Sequence, residues 1–463
     1  MATKGGKHVY NKSDVDLLLS QKDESQSPPR SPQHGDRAKK PSGDLHWSEW
    51  ETRLWMFTLL AGTCFLYCAR SSLPICAVSM SEQFGWNKKQ TGLALSSFFW
   101  GYCLTQIAGG HLSDKVGGER VLLVSALLWG LITIVTPLAA RATTASLYLV
   151  SFLRFLMGLL QGVHFPSLSS VFAVRVRDKE RGFFCSFVGC GSQCGTLLIG
   201  GAGSLLQDWY GWDYVFYFAG FLALVWGYCL GTYMQKQRMF SDLGRGFATS
   251  GKTNMPWRLL LKKAPVWAVI IGQVSVASSA FTLFSWVPIF FKNRFPDSKG
   301  LVFNVVPWLT AIPAAILSGH LSDHLIKTGY KPVFVRKLMQ VIGMGISSIF
   351  LLLLGQSESF CQALVFISAA VALQTFNHSG LTINIQELAP SCSGFLFGVA
   401  NTGGSVFGIL WVYLSGYLLD ITGSWDSMFH LLVAVNVLGL LVYLVFAKAE
   451  RIDIENVPPV LKI

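Results

Sequence analysis

Two arginines, Arg70 and Arg154, stand inside stretches of chain that otherwise hold almost no charge. Each stretch has the roughly 20 apolar residues needed to cross a bilayer. Each arginine lies about nine residues from one end of its stretch, roughly 14 Å deep at 1.5 Å per residue. A guanidinium near mid-membrane costs upwards of about 2.5 kcal/mol, and is retained where it lines a water-filled path or meets a counter-charge. Of the 25 Asp and Glu, none lies well inside an apolar stretch; Glu387 stands at an edge. An incoming anion would supply the missing charge, and the planar donor fork of arginine suits carboxylate or phosphate. The competing reading is that each arginine bonds to backbone carbonyls at a helix break, which Pro74, Gly158 and Pro166 permit.

Other polar residues share those depths. On a helix, Arg154, Gly158, Gln161 and Phe165 lie on one face. Gly158 and Gly162 serve either close helix packing or the approach of a ligand. Gln161 bonds either a substrate or a neighbouring helix, and His164 suits an interhelical bond better than a proton relay. Later in the chain, Gln374-Thr-Phe-Asn377-His378-Ser379-Gly380 is too polar for a lipid-facing surface and is expected to face a cavity. There His378 meets an anion or joins a structural hydrogen-bond network. Most of the ten cysteines lie at membrane depth, where they pack as small apolar residues; no redox or metal site is expected.

These residues need long helices to hold them. The chain is 51% hydrophobic and 13% charged, against about a quarter charged in soluble domains, so the bilayer is its solvent. Twelve spans are expected, at 54–79, 91–112, 121–140, 145–172, 183–206, 214–233, 265–290, 301–319, 337–355, 362–385, 394–418 and 427–447. The pentapeptide Gly110-His-Leu-Ser-Asp114 recurs unchanged as Gly319-His-Leu-Ser-Asp323, 209 positions later. Trp212-Asp213 is echoed by Trp425-Asp426 at an offset of 213. Near-equal offsets are what a duplicated helical bundle leaves behind, and such repeats mark secondary transporters. The fold class is therefore all-α, two six-helix bundles related by a parallel repeat. The expected parts are a disordered tail (1–52), a first bundle (53–233), a linker (234–264), a second bundle (265–447) and a short tail (448–463).

Charge orients the bundle. Of the 37 Lys and Arg, 29 fall on the side that holds both termini and the central linker, and six on the other. The positive-inside rule makes the first side cytosolic. The net charge of +12 is thus mostly topological, and a nucleic-acid partner is not expected because no compact basic domain carries it. No apolar leader precedes the first span, so no cleavable signal peptide is expected. An enzyme is excluded too: no Ser-His-Asp set, metal cluster or phosphate-cradling loop is found.

Gly110-x-x-x-Asp114-Lys115-x-Gly117-Gly118-x-Arg120 resembles the loop 2–3 signature of the major facilitator superfamily, with a degenerate second copy ending in Asp323 and Arg336-Lys337. More narrowly, Ser96-Ser-Phe-Phe-Trp100-Gly-Tyr-Cys-Leu-Thr-Gln106 and Asn384-Ile-Gln-Glu-Leu-Ala-Pro390 resemble the vesicular organic-anion and sodium-phosphate transporters. Gly85-Trp-Asn-Lys-Lys89, Phe303-Asn-Val-Val-Pro-Trp308 and Phe376-Asn-His-Ser-Gly380 make the chain look most like the nucleotide carriers of that group. The similarity spans nearly all of residues 50–450.

The resemblance implies that Arg70 and Arg154 bind substrate; Gln161, Asn377 and His378 are further candidate contacts from their depth and polarity alone. It implies that Gly110, Asp114, Lys115, Arg120, Asp323 and Arg336 form a conformational latch on the cytosolic face. Gln161 replaces the titratable glutamate of proton-coupled relatives, Leu95 a histidine of the glutamate carriers, and Val276 their span 7 arginine. These departures argue against tight proton coupling and against glutamate, in agreement with a carrier driven by membrane potential; the resemblance implies uniport of nucleotides such as ATP in secretory vesicles or lysosomes. No cofactor is implied, with chloride as an activator expected from the family alone. The segment Asp14-Val-Asp-Leu17-Leu18-Leu19 fits an acidic dileucine signal, in which Asp14, Leu18 and Leu19 would contact a clathrin adaptor. The readings left open are a sialic acid or phosphate carrier, an anion channel and a non-transporting sensor.

Overall fold

The computed structural model describes residues 46–142, 146–242, 260–296 and 300–452. The sorting segment at Asp14, Leu18 and Leu19 lies outside the described residues. Among them are twelve long helical units and no strand: α1 (Glu49–Phe84), α2 (Lys88–Val116), α3 (Gly118–Ala142), α4 (Ser146–Arg175), α5 (Arg181–Tyr210), α6 (Trp212–Asp242), α7 (Ala264–Arg294), α8 (Gly300–Lys327), α9 (Pro332–Gly355), α10 (Phe360–Leu388), α11 (Pro390–Thr422) and α12 (Trp425–Phe446). Eleven are long and apolar enough to cross a membrane. The exception is α2, whose ends carry Lys88, Lys89, Asp114 and Lys115 and whose middle carries Gln106.

Local chemistry sets the ends. The Ser48 side chain accepts from the Glu51 amide while the Glu51 carboxylate accepts from the Ser48 amide, a capping box that starts α1 five residues before the apolar stretch begins. Asn87 and Gln90 do the same for α2. Gly117 (φ +98°) and Gly211 (φ +103°) are each the sole link between two helices, α2 to α3 and α5 to α6, in a conformation that strains any residue with a Cβ. Helix α4 breaks at Val163, ahead of Pro166, which has no N–H to continue the ladder. Wider π turns occur at Ile199–Gly203, Val341–Ile346 and His378–Thr382.

Packing then brings α2 and α4 into close contact. A Cβ on Gly158 would meet the Phe98 carbonyl and lie 2.9 Å from the Tyr102 nitrogen; one on Gly162 would lie 2.7 Å from the Tyr102 oxygen; one on Gly101 would lie 2.8 Å from the Leu159 nitrogen. The Thr105 hydroxyl adds a 2.7 Å bond to the Leu159 carbonyl. Gly158 and Gly162 therefore serve helix packing, the first of the two readings the sequence left open. This crossing seats Arg154 beside Phe98.

Gly158→Ala should lower the thermal midpoint in detergent, since overpacking costs about 1–3 kcal/mol. Gly92→Ala, where a Cβ would meet nothing within 4 Å, should leave the midpoint unchanged or raised. Equal midpoints for the two variants would contradict the packing.

Candidate functional site

The two arginines converge between α1, α2 and α4. Arg154 is 2% exposed, and its Nη2 donates to the Arg70 carbonyl at 2.8 Å and its Nη1 to the Ala69 carbonyl at 3.4 Å. The backbone-carbonyl reading thus describes Arg154 in this conformation. Arg70 is half-buried, with its Nε donating to the Gln161 Oε1 at 3.2 Å. Its guanidinium carbon lies 4.7 to 4.9 Å from the ring centres of Tyr67, Phe98 and Tyr102. The Arg154 guanidinium lies over the same Phe98 ring, at 5.6 Å. Two cations therefore share one aromatic ring, an arrangement that softens but does not neutralise their charge.

What the pair lacks decides its chemistry. The ion pairs among the described residues engage Arg141, Arg175, Arg181 and Arg336, and neither Arg70 nor Arg154 meets an acid. Arg70 Nη2 and Arg154 Nε are buried without a partner. Buried donors left unpaired are costly, and an anion is the kind of group that would satisfy them. Gln161 preserves this state: its amide is anchored on the Leu66 carbonyl at 3.4 Å, and its oxygen accepts from Arg70 without cancelling the charge. His164 makes an interhelical contact with Thr63 at 3.2 Å.

The α10 polar cluster does not face one cavity as expected. Gln374 donates to the Ser279 hydroxyl of α7 at 3.1 Å, Asn377 is buried against Gly343 of α9, and Ser379 bonds to Ser318 of α8 and Ser186 of α5. Four helices, α5, α7, α8 and α9, meet this part of α10, so polar side chains at successive positions find different neighbours. His378, like Ser379, reaches the first half, where its ring packs against Gly189 of α5.

The repeated pentapeptide occupies equivalent places in both halves. Asp114, at the end of α2, accepts the Gly394 and Phe395 amides at 3.1 and 2.8 Å, at the start of α11. Asp323, near the end of α8, accepts the Gly182 and Phe183 amides at 2.9 and 2.7 Å, at the start of α5. Each carboxylate caps the positive end of a helix in the opposite half. The glycines match: a Cβ on Gly110 would strike the Gly394 carbonyl, and one on Gly319 would lie 2.6 Å from the Phe183 Cα. His111 packs on Phe395 and His320 on Phe183. The receiving Gly-Phe pair recurs at an offset of 212, a signal present in the sequence and overlooked because two residues are too short to stand out.

Lys115 and Arg120 do not enter this latch. Both are exposed and make no ion pair among the described residues, because their backbones sit at the rim, where the chains stay in water. The braces are other charges: Glu119 with Arg175 at 3.0 Å, joining α3 to α4, and Arg336 with Glu387 at 2.6 Å, joining α9 to α10. Arg336 also donates to Ser322 of the second pentapeptide at 2.7 Å, so it positions the latch from behind. Hydrogen bonds crossing between the halves, Ser169 with Ser393 included, run from the face where the described residues begin and end, the termini face, to mid-helix. That face is shut.

Known proteins share this architecture. A Major Facilitator Superfamily model matches residues 59–412. The chain is 55% identical over 419 residues to the voltage-gated purine nucleotide uniporter of Homo sapiens, covering 90% of this chain and 96% of that one. The protein of the same name from Rattus norvegicus is 54% identical over 415 residues, 89% and 93% of the two chains. The chloroplastic sodium-dependent phosphate transport protein 1 of Arabidopsis thaliana is 33% identical over 427 residues, 88% and 82%. The solved proton:xylose symporter XylE, bound to 6-bromo-6-deoxy-D-glucose, superposes with a TM-score of 0.70 over 87% of this chain and 97% of its own, at 14% identity.

Asp114→Asn and Asp323→Asn keep the shape and remove the charge that faces two amides. Charge-assisted bonds are worth about 1.5–3 kcal/mol, so each substitution should raise the rate at which trypsin cleaves the termini-face loops, and the pair together more than either. Unchanged cleavage in the double variant would show that the caps do not hold that face closed.

Proposed function

Because the chain belongs to the major facilitator superfamily, and within it to the family of the purine nucleotide uniporters and anion transporters, we propose that it is a carrier of purine nucleotides driven by membrane potential. The observation that carries this reading is the pair of half-buried Arg70 and buried Arg154, adjacent and without an acid. A nucleotide phosphate chain brings the missing negative charge and the acceptors for Arg70 Nη2 and Arg154 Nε. Three or four negative charges gain about 2.3 kcal/mol each per 100 mV when they move toward a positive lumen. No co-transported proton is needed, and none of Gln161, Leu95 and Val276 can take one.

Transport follows from the two caps. In the shape observed, Asp114 and Asp323 close the termini face. Release of both caps lets the halves rock about mid-membrane, and the arginines meet the other compartment. By the basic-residue bias the termini face is cytosolic, which places the loading step in the cytosol and the release step in the lumen of a secretory vesicle or lysosome. Chloride as activator and an adaptor contact through Asp14, Leu18 and Leu19 complete the proposal.

Purified protein in proteoliposomes should take up ATP under an inside-positive potential with no pH gradient, saturably and in competition with other purine nucleotides. No ATP uptake, with flux of a sugar acid or phosphate instead, would replace this reading with the organic-anion alternative; non-saturating currents would replace it with a channel. Gln161→Glu should place an acid against Arg70, lower ATP uptake by about tenfold or more, as expected for losing a charge-assisted contact worth about 1.5–3 kcal/mol, and restore part of it as pH falls. Wild-type uptake in that variant would mean that the Arg70 charge is not used.

A further inference from the structure

A polar network bridges the halves at the depth of the arginines. The Asn401 Nδ2 of α11 donates to the Tyr102 hydroxyl at 3.3 Å and to the Gln106 Oε1 at 2.5 Å, both on α2. Its Oδ1 accepts from Gln273 Nε2 of α7 at 3.2 Å, and Gln106 Nε2 donates to Ser405 of α11 at 3.4 Å. Gln106 is fully buried. It lies ten residues from the end of α2, about 15 Å from the termini face. Backbones approach here as well, since a Cβ on Gly398 would lie 3.0 Å from the Ile107 Cα. The amide groups of Asn401 and Gln106 are thus satisfied across a seam that has to part when the termini face opens.

One member of the network also belongs to the anion site. Tyr102 presents its ring to the Arg70 guanidinium at 4.8 Å and its hydroxyl to Asn401. We propose that Asn401 is a positioning residue that ties the two halves together and, through Tyr102, makes the tie responsive to the anion on Arg70. This rests on the nucleotide reading above and adds to it the means by which occupancy reaches the seam. An anion draws the guanidinium off the Tyr102 face, the phenol loses its fixed place, and the bond to Asn401 lapses. The remaining Gln106 and Asn401 amides then part with fewer bonds holding them. An empty site keeps Tyr102 pinned, and the seam parts less often than when an anion is bound.

The chain contains its own reporter. Cys185 of α5 is buried at the termini-face seam, 3.6 Å from the Gln386 amide nitrogen of α10. Its alkylation by a maleimide, followed by mass spectrometry on full-length protein in detergent, reads opening of that face. Added ATP should speed alkylation of the wild-type protein. Asn401→Ala should raise the nucleotide-free rate by about fivefold or more and abolish the further effect of ATP. In uptake it should lower both KM and the maximal rate, because the state open to cytosolic ATP is more populated and closes less readily. Tyr102→Phe, which removes one oxygen, should likewise remove the ATP effect, and it provides the test if the Asn401 variant does not fold. A variant with the wild-type nucleotide-free rate and an intact ATP response would overturn the tie. ATP uptake by the wild-type protein separates the two failures: uptake without any ATP effect on alkylation overturns the coupling alone, whereas no uptake overturns the nucleotide reading while the nucleotide-free rate of Asn401→Ala still decides the tie.

Discussion

Two guanidinium groups over one phenylalanine ring, with no acid beside them, are the constraint to which the first half is fitted. In water such a pair is tolerable; at mid-membrane each cation needs something in place of its hydration. Arg154 takes backbone carbonyls of α1, and Arg70 takes three aromatic faces and one neutral amide. Each partner is polar or polarisable, and none is charged. The glycine crossing of α2 on α4 brings Phe98 to both arginines, so backbone packing and site electrostatics form one device. On the proposed function, an anion would complete this arrangement where a resident carboxylate would have closed it.

The second constraint is the reciprocal use of helix ends. Asp114 and Asp323 each set a carboxylate against two amides of a helix in the opposite half, and the helices so capped, α11 and α5, begin at the same face. A cap of this kind is strong while aligned and lost over a few ångströms, which suits a contact that must form and break as a unit. The braces behind the two caps differ in polarity: Glu119 on α3 meets Arg175 on α4, while Arg336 on α9 meets Glu387 on α10. Duplication kept the geometry and let the charges change places.

Much of this was legible in the chain, for physical reasons that also explain what was not. Arg70 and Arg154 stand out because apolar neighbours leave them no ordinary role, and depth follows from counting residues. The pentapeptide announces two halves because five polar residues rarely recur unchanged. Its receptors, Gly182-Phe183 and Gly394-Phe395, work through backbone amides, which carry no side-chain signature. Lys115 and Arg120 drew a latch role from family resemblance, yet their place at the rim leaves them in water, while Glu119 and Glu387 brace helices within each half. The α10 cluster misled for another reason: a helix packed against four others disperses its polar residues among them. The first 45 residues, with Asp14, Leu18 and Leu19, lie outside the described structure.

The measurement that bears most directly on the arginine pair is equilibrium binding of radiolabelled ATP to the purified protein with no potential imposed, comparing the wild type with Arg154→Ala and Arg70→Ala. The account predicts saturable binding by the wild type and, at an unchanged thermal midpoint, an affinity lower by about tenfold to a hundredfold in each variant, the range expected when a charge-assisted contact worth about 1.5–3 kcal/mol is lost. Wild-type affinity in both folded variants would contradict it, and would mean that the two cations serve the fold alone.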